Sequence, residues 1–139
     1  MRQTDRVVVD TSALYALASS NDEFHDLARQ TYLGLLESGD ELWVSSYVLV
    51  EFGAVIQRRL GFPALKAFYE SFGAVSLTFW IDKAMHAEAW SDLAMRQGQG
   101  LSLVDWTVLL AARQLGARIF TFDAGFRREG GIVIPEDSP

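Results

Sequence analysis

Four acidic residues stand out because each follows a predicted strand or lies on an apolar helix. Asp10 and Asp123 each come directly after a short apolar segment, whereas Glu51 and Asp105 lie within helical patterns of apolar residues. Clustered carboxylates stay ionised together only with positive charge between them. Mg²⁺ and Mn²⁺ prefer such all-oxygen sites. Bound there, these ions activate water and stabilise the oxygens of a phosphodiester during its hydrolysis.

Three of these acids also have a purely structural interpretation. Asp10 and Asp123 suit the N-cap positions of the helices that follow them. Asp105, three residues after Ser102, fits a capping box in which its side chain accepts the Ser102 backbone N–H. A capping role and a role as metal ligand are compatible, so these interpretations leave the metal hypothesis open.

Glu51 is the acid that local structure explains least well. Its helical neighbours at positions 47, 48, 54 and 55 are all apolar. An ionised carboxylate on such a face is costly unless it is paired or coordinates a metal. The structural alternative is an ion pair with Arg58 or another arginine, or a position at the edge of the apolar face.

The elements that must position these acids alternate between strands and helices. Strands are predicted at residues 7–9, 41–44, 75–80, 118–122 and 132–134, and helices at 13–18, 21–37, 47–60, 64–72, 82–96 and 103–115. Short, continuously apolar strands indicate a parallel sheet covered on both faces. We therefore predict one α/β domain over residues 1–139, with four to five parallel strands flanked by helices. Ligands bind such sheets at the carboxyl ends of the strands, where the four acids can meet.

Composition places the chain in a broad class. Half of its 139 residues are hydrophobic and none is cysteine. A sizeable core is therefore available, while a disulfide scaffold and a thiolate zinc site are excluded. We see no signal-peptide pattern and no apolar run of the roughly 20 residues that span a bilayer. The default expectation is a cytoplasmic protein without a membrane segment.

The net charge of −6 argues at first against a nucleic-acid partner. However, nearly all the basic residues are arginines, which bind phosphate better than lysines do. An acidic cluster loaded with divalent cations also attracts phosphate. Candidate RNA contacts, each of which could instead be an ordinary solvated residue, are Arg113, Arg118, Arg127 and Arg128.

At this point the chain resembles the PIN-domain ribonucleases, and among them the VapC-like toxins of toxin–antitoxin pairs. The resemblance is carried by residues 7–14, 45–51, 101–105 and 120–126, each of which contains one of the acids. Each motif alone is loose, but four in the right order are specific. The resemblance implies a Mg²⁺- or Mn²⁺-dependent endoribonuclease whose metal ligands are Asp10, Glu51, Asp105 and Asp123. It also implies that Ser12 and Thr121 support the site or contact phosphate.

The resemblance further implies partners: an RNA substrate, an antitoxin whose C-terminal segment lies across the active site, and a second copy bound through apolar helices. Two stretches differ from the residues common in the family: Trp106 after the third acid, and Ala124–Gly125 near the fourth. A catalytically silent PIN-fold binding module remains an alternative. A phosphoaspartate-type regulator is a weaker one, because the chain lacks adjacent acids near its start and any lysine after Lys83.

Overall fold

The computed structural model describes residues 5–138 and contains a five-stranded, entirely parallel sheet. Its strands are β1 (Arg6–Val9), β2 (Glu41–Ser45), β3 (Ser76–Phe79), β4 (Arg118–Phe120) and β5 (Val133–Ile134). They lie in the order β3-β2-β1-β4-β5. The predicted α/β class and parallel sheet are confirmed.

Helices connect the strands. They are α1 (Thr11–Ala18), α2 (His25–Ser38), α3 (Ser46–Leu60), α4 (Phe62–Ser71), α5 (Lys83–Met95), α6 (Leu103–Leu115) and α7 (Gly125–Arg128). No helix within the described residues is long and apolar enough to cross a membrane.

The core lies on both sides of the central strand. Val7, Val8 and Val9 of β1 are all fully buried although successive side chains point to opposite faces of the sheet. Both faces are therefore covered, as the continuous apolar pattern predicts. On α6, residues 106–112 are all buried, and this helix contacts β1, β2 and β4. Trp106 is among them, so it belongs to the core and not to the rim of a site.

Some predicted boundaries are wrong by a few residues, for local reasons. Helix α2 begins at His25 and not at position 21, because Asp22 Oδ1 accepts the backbone N–H of Phe24 at 2.8 Å and forms a turn. Helix α4 begins at Phe62, directly after Gly61, whose φ of +89° ends α3. Strand β4 ends at Phe120 and not at position 122, so Thr121 follows the strand and lies at the carboxyl edge of the sheet.

Candidate active site

Asp10 lies at the carboxyl end of the central strand and caps α1, with only 2% of its surface exposed. Its Oδ2 atom accepts hydrogen bonds from the Ser12 hydroxyl at 2.9 Å and the Thr121 hydroxyl at 2.8 Å. Its Oδ1 atom is buried and has no hydrogen-bond partner. A buried carboxylate oxygen without a donor is costly, and it is the atom that a cation would satisfy.

The two hydroxyls connect the ends of β1 and β4. They lie 3.0 Å apart, and because each has one hydrogen, both can donate to Asp10 only if neither donates to the other. The Ser12 oxygen then accepts the N–H of Phe122 at 3.0 Å, and the Thr121 oxygen accepts the N–H of Asp123 at 3.0 Å. The structure therefore places both predicted supporting residues in direct contact with Asp10.

The environment of Asp10 disfavours its charged form. Burial and, to a smaller extent, the negative charge of Asp105 raise the pKa of this carboxyl to about 7, although hydrogen bonds from Thr121, Ser12 and the Thr11 backbone oppose the shift. Near neutral pH the carboxyl is therefore partly protonated unless a cation lies beside it.

Asp105 caps its helix and also lies near the other acids. Its Oδ2 atom accepts the Ser102 N–H at 2.9 Å, and its own N–H donates to the Ser102 hydroxyl at 3.1 Å, so the predicted capping box is present. Burial raises the pKa of the Asp105 carboxyl, with smaller contributions from the charges of Asp123 and Glu51. Asp105 therefore interacts electrostatically with each of the other three acids, Asp10, Asp123 and Glu51.

Glu51 is exposed, which corrects the expectation that it lies on a covered apolar face. The buried side of α3 is formed by Val48, Phe52 and Ile56, so Glu51 lies at the edge of that face. It forms no ion pair with any residue of the described chain, and the alternative pairing with Arg58 is absent.

Asp123 is exposed and held by a turn rather than by the N-cap that its position suggests. Its Oδ1 atom accepts the backbone N–H of Gly125 at 2.8 Å, whereas the N-cap of α7 is Ala124. A Cβ atom on Gly125 would lie 3.1 Å from that oxygen and 2.8 Å from Leu101 Cδ2. A glycine two residues after an acid is a recognisable turn signal, which the sequence analysis did not use.

This donor set fits a hard divalent cation. The acids supply oxygen ligands, one of which is the unpartnered Asp10 Oδ1, and their mutual repulsion is relieved by positive charge. Within residues 5–138, no three His, Cys, Asp or Glu side chains stand close enough together to hold a metal ion as they are placed. Binding a cation therefore requires some of the acidic side chains to change rotamer.

The four candidate arginines fall into two pairs. Arg127 and Arg128 are exposed on α7, just after Asp123, and Arg127 donates to the Glu136 carbonyl at 2.6 Å. Arg118 begins β4, at the end of the sheet opposite the acids, and pairs with Asp5 and Asp40 at 3.6 Å each. Arg113 lines a cavity with Arg118 and donates to a backbone carbonyl. The structure does not bring this second pair to the acids.

The chain can now be compared with known proteins. The family model described as "PIN domain" matches residues 7–131. This chain belongs to the PIN domain family. A comparison of this chain's sequence with curated proteins found no significant match.

Solved structures with this fold include toxins and their complexes. One is VapC20 of Mycobacterium tuberculosis, described as a toxin that cleaves the sarcin–ricin loop. It is 25% identical to this chain with a TM-score of 0.76, and the match covers 91% of this chain and 96% of VapC20. DNA-bound VapBC2 of Rickettsia felis is 16% identical over 92% and 96% of the two chains, with a TM-score of 0.70. DNA-bound VapBC of Salmonella typhimurium is 18% identical over 94% and 97%, with a TM-score of 0.69.

Proposed function

We propose that this PIN domain is a Mg²⁺- or Mn²⁺-dependent endoribonuclease and the toxin of a VapBC-type toxin–antitoxin pair. The observation that carries the proposal is Asp10, whose buried, unpartnered Oδ1 lies within a coupled group of four acids at the carboxyl edge of the sheet. The similarity to an RNA-cleaving VapC toxin supports the choice of RNA as substrate. The reaction is hydrolysis of a phosphodiester bond that leaves 5′-phosphate and 3′-hydroxyl ends.

The protein's own contribution is to restrain three of the four acids by hydrogen bonds. Ser12 and Thr121 hold one oxygen of Asp10, which leaves Oδ1 without a partner. Asp105 is held at the start of α6 by its capping box, and Asp123 by the Gly125 N–H. Such supporting hydrogen bonds determine the orientation and basicity of ligands. When bound, divalent cations would supply a water nucleophile at neutral pH and stabilise the charge that develops on the phosphate oxygens.

RNA would approach the site over α7. Arg127 and Arg128 are both exposed there, at the rim formed by the segment that carries Asp123. Their guanidinium groups can bind phosphates on either side of the scissile bond. Arg113 and Arg118 are placed too far around the sheet to share this role.

We also propose two protein partners. VapBC and FitAB complexes are among the structures with this fold, and an antitoxin segment lying across the acids would block them. Large apolar side chains exposed on or near α3 and α5 include Val50, Trp80, Trp90 and Met95, at 72%, 75%, 59% and 77% exposure. Apolar surface of this kind favours a homodimer, in which a second copy covers part of it.

The test is cleavage of structured RNA by the purified protein with and without Mg²⁺ or Mn²⁺, alongside calorimetry with the same ions. Asp10→Asn is expected to abolish both cleavage and ion binding. Glu37→Gln, an exposed acid at the end of α2, is the matched control and is expected to behave as wild type. Equal cleavage by Asp10→Asn and wild type would refute the metal assignment. Ion binding without any cleavage would instead identify a catalytically silent binding module.

A further inference from the structure

A cavity of about 320 Å³ lies beside the acids and shares Ser12 with their site. Its wall includes Thr11, Phe52 and Phe122, which are the sequence neighbours of three of the acids. We call it the aromatic pocket; the residues that matter to its chemistry are Thr11, Tyr15, Asp22, Glu23, Phe24 and Phe122.

Aromatic rings form much of this pocket. Phe24 and Phe122 are stacked, with ring centroids 4.7 Å apart and an interplanar angle of 7°, and Tyr15 supplies a third ring. Phe24 and Tyr15 are only partly buried, so their rings are not wholly covered by protein. Rings of this kind stack on nucleobases, because every base has a π-face.

The polar side chains of the pocket include two carboxylates, Asp22 and Glu23, and the hydroxyls of Thr11 and Ser12. The Oγ1 atom of Thr11 is buried and has no hydrogen-bond partner. Asp22 keeps one oxygen on the Phe24 N–H, and Glu23 makes no hydrogen bond or ion pair within the described chain. Ionised carboxylates only accept hydrogen bonds. A flat aromatic ligand that carries N–H donors suits this lining.

Tyr15 connects the aromatic pocket to a cation. Arg59 Nη1 donates to the Tyr15 hydroxyl at 2.6 Å, and its Cζ atom lies 5.5 Å from the Tyr15 ring centroid. Arg59 lines a neighbouring cavity that shares Tyr15 with the aromatic pocket, and the exposed Arg59 side chain has further N–H groups that can bind a phosphate. An aromatic pocket with a cation beside one of its rings matches a nucleotide, with the base inside and a backbone phosphate outside.

We propose that the aromatic pocket binds one nucleobase of the RNA next to the scissile phosphate and prefers guanine to uracil. Guanine presents two adjacent N–H donors on its Watson–Crick edge, which suits the carboxylate of Glu23, because one oxygen of Asp22 is already bonded to the Phe24 N–H. Uracil presents a single N–H between two carbonyl oxygens, which the Glu23 carboxylate repels. The assignment of RNA as the ligand rests on the proposed ribonuclease function, but base binding itself does not require cleavage.

The first experiment measures binding alone. ¹⁵N-labelled protein without divalent ions is titrated with GMP, UMP and inorganic phosphate, and the amide signals of Thr11 and Phe24 are followed. We expect GMP to bind about tenfold more tightly than UMP, and Glu23→Gln to remove that difference while Glu37→Gln keeps it. Phe24→Leu should weaken binding of both nucleotides by about tenfold. The pocket proposal is wrong if no nucleotide moves these signals, if phosphate alone moves them equally, or if Glu23→Gln retains the preference for GMP.

The second experiment uses cleavage to separate this proposal from the proposed function. A pool of RNA with randomised sequence is cut by wild type and by Glu23→Gln, and the ends of the products are sequenced. Enrichment of guanine at one fixed position from the cut, lost in Glu23→Gln, supports the pocket. Cleavage with the same base preference in both proteins overturns it and leaves the nuclease intact. GMP binding without any RNA cleavage leaves the pocket intact and overturns the nuclease.

Discussion

The hydroxyl of Thr121 lies 2.8 Å from Oδ2 of Asp10, although the two residues are 111 positions apart. The same hydroxyl oxygen accepts the backbone N–H of Asp123 at 3.0 Å. Thr121 therefore fixes both the orientation of one acid and the backbone that carries another. This contact makes Thr121 the positioning residue whose removal should disturb the site most without removing any predicted ligand.

Thr121→Val removes this hydroxyl while keeping the shape of the side chain. We expect a loss of about 1–3 kcal/mol in the free energy of unfolding, because a buried acceptor and donor lose their partners. We also expect Mn²⁺ affinity to fall about 10- to 100-fold, as is typical for residues that support metal ligands. Urea unfolding and calorimetry measure the two effects. Thr121→Ser keeps the hydroxyl and should bind Mn²⁺ nearly as tightly as wild type. If Thr121→Ser loses as much Mn²⁺ affinity as Thr121→Val, the missing hydroxyl does not cause the loss.

The metal-free protein should lose stability as the pH rises toward neutrality. Burial raises the pKa of Asp10 from 3.8 to about 7 in the folded state, so the folded state binds more protons than the unfolded state between these values. The stability that this group contributes is complete below pH 4 and is lost as the pH passes 7. The expected loss between pH 5 and pH 8 is roughly 3 kcal/mol.

Urea unfolding in EDTA across that pH range measures this effect. Asp10→Asn, which cannot ionise, should show a much flatter profile and should be more stable than wild type at pH 8. Glu37→Gln should follow the wild-type profile, because its carboxylate is exposed at the end of α2. Parallel profiles for wild type and Asp10→Asn would show that Asp10 is ionised throughout.

Variants can separate the two roles of Asp105. Ser102→Ala removes the hydroxyl that caps α6 and is expected to lower the free energy of unfolding by about 1 kcal/mol while RNA cleavage is retained. Asp105→Asn keeps an acceptor for the Ser102 N–H but loses the charge, so the fold should persist and cleavage should be lost. Thermal unfolding and the RNA cleavage assay give the comparison. Loss of cleavage in Ser102→Ala at full stability would mean that Ser102 itself acts at the site.

The arginines at the two ends of the sheet should differ in their effect on RNA. Arg128 is exposed beside the site and has no partner within the described chain. Arg128→Gln should therefore weaken RNA binding. It should also reduce the slope of log affinity against log salt concentration by about 1, the value for one phosphate contact. Arg118→Gln should leave RNA binding unchanged, because Arg118 pairs with Asp5 and with Asp40, whose side chain is only 3% exposed.

Binding of RNA to the cleavage-deficient Asp10→Asn background, measured at several salt concentrations, checks both arginine variants. Arg118→Gln should instead lower the free energy of unfolding by about 1–3 kcal/mol, because Asp40 loses a charged partner. An equal reduction of the salt dependence in both variants would show that RNA extends around to the far end of the sheet.

Local features of the chain could be predicted well. The continuously apolar strands follow from burial on both faces of a parallel sheet, and the Ser102–Asp105 capping box follows from two residues three positions apart. The predicted start of α2 at residue 21 is wrong because the Asp22 side chain accepts the backbone N–H of Phe24 and forms a turn. Asp favours both such turns and helix starts, so the sequence does not distinguish the two. The exposure of Glu51 was also misjudged, because its neighbours are apolar on both sides and only packing decides which of them are covered.

By itself, therefore, the sequence determined the alternation of strands and helices, the order of the four acids, and the residues that cap their helices. These depend on interactions between residues close together in the chain. Only the tertiary structure decided which oxygen of Asp10 has no partner, which arginines lie beside the acids, and that Phe24 stacks on Phe122. Those relationships join strand ends and helices far apart in the sequence, and no local pattern encodes the distance between them.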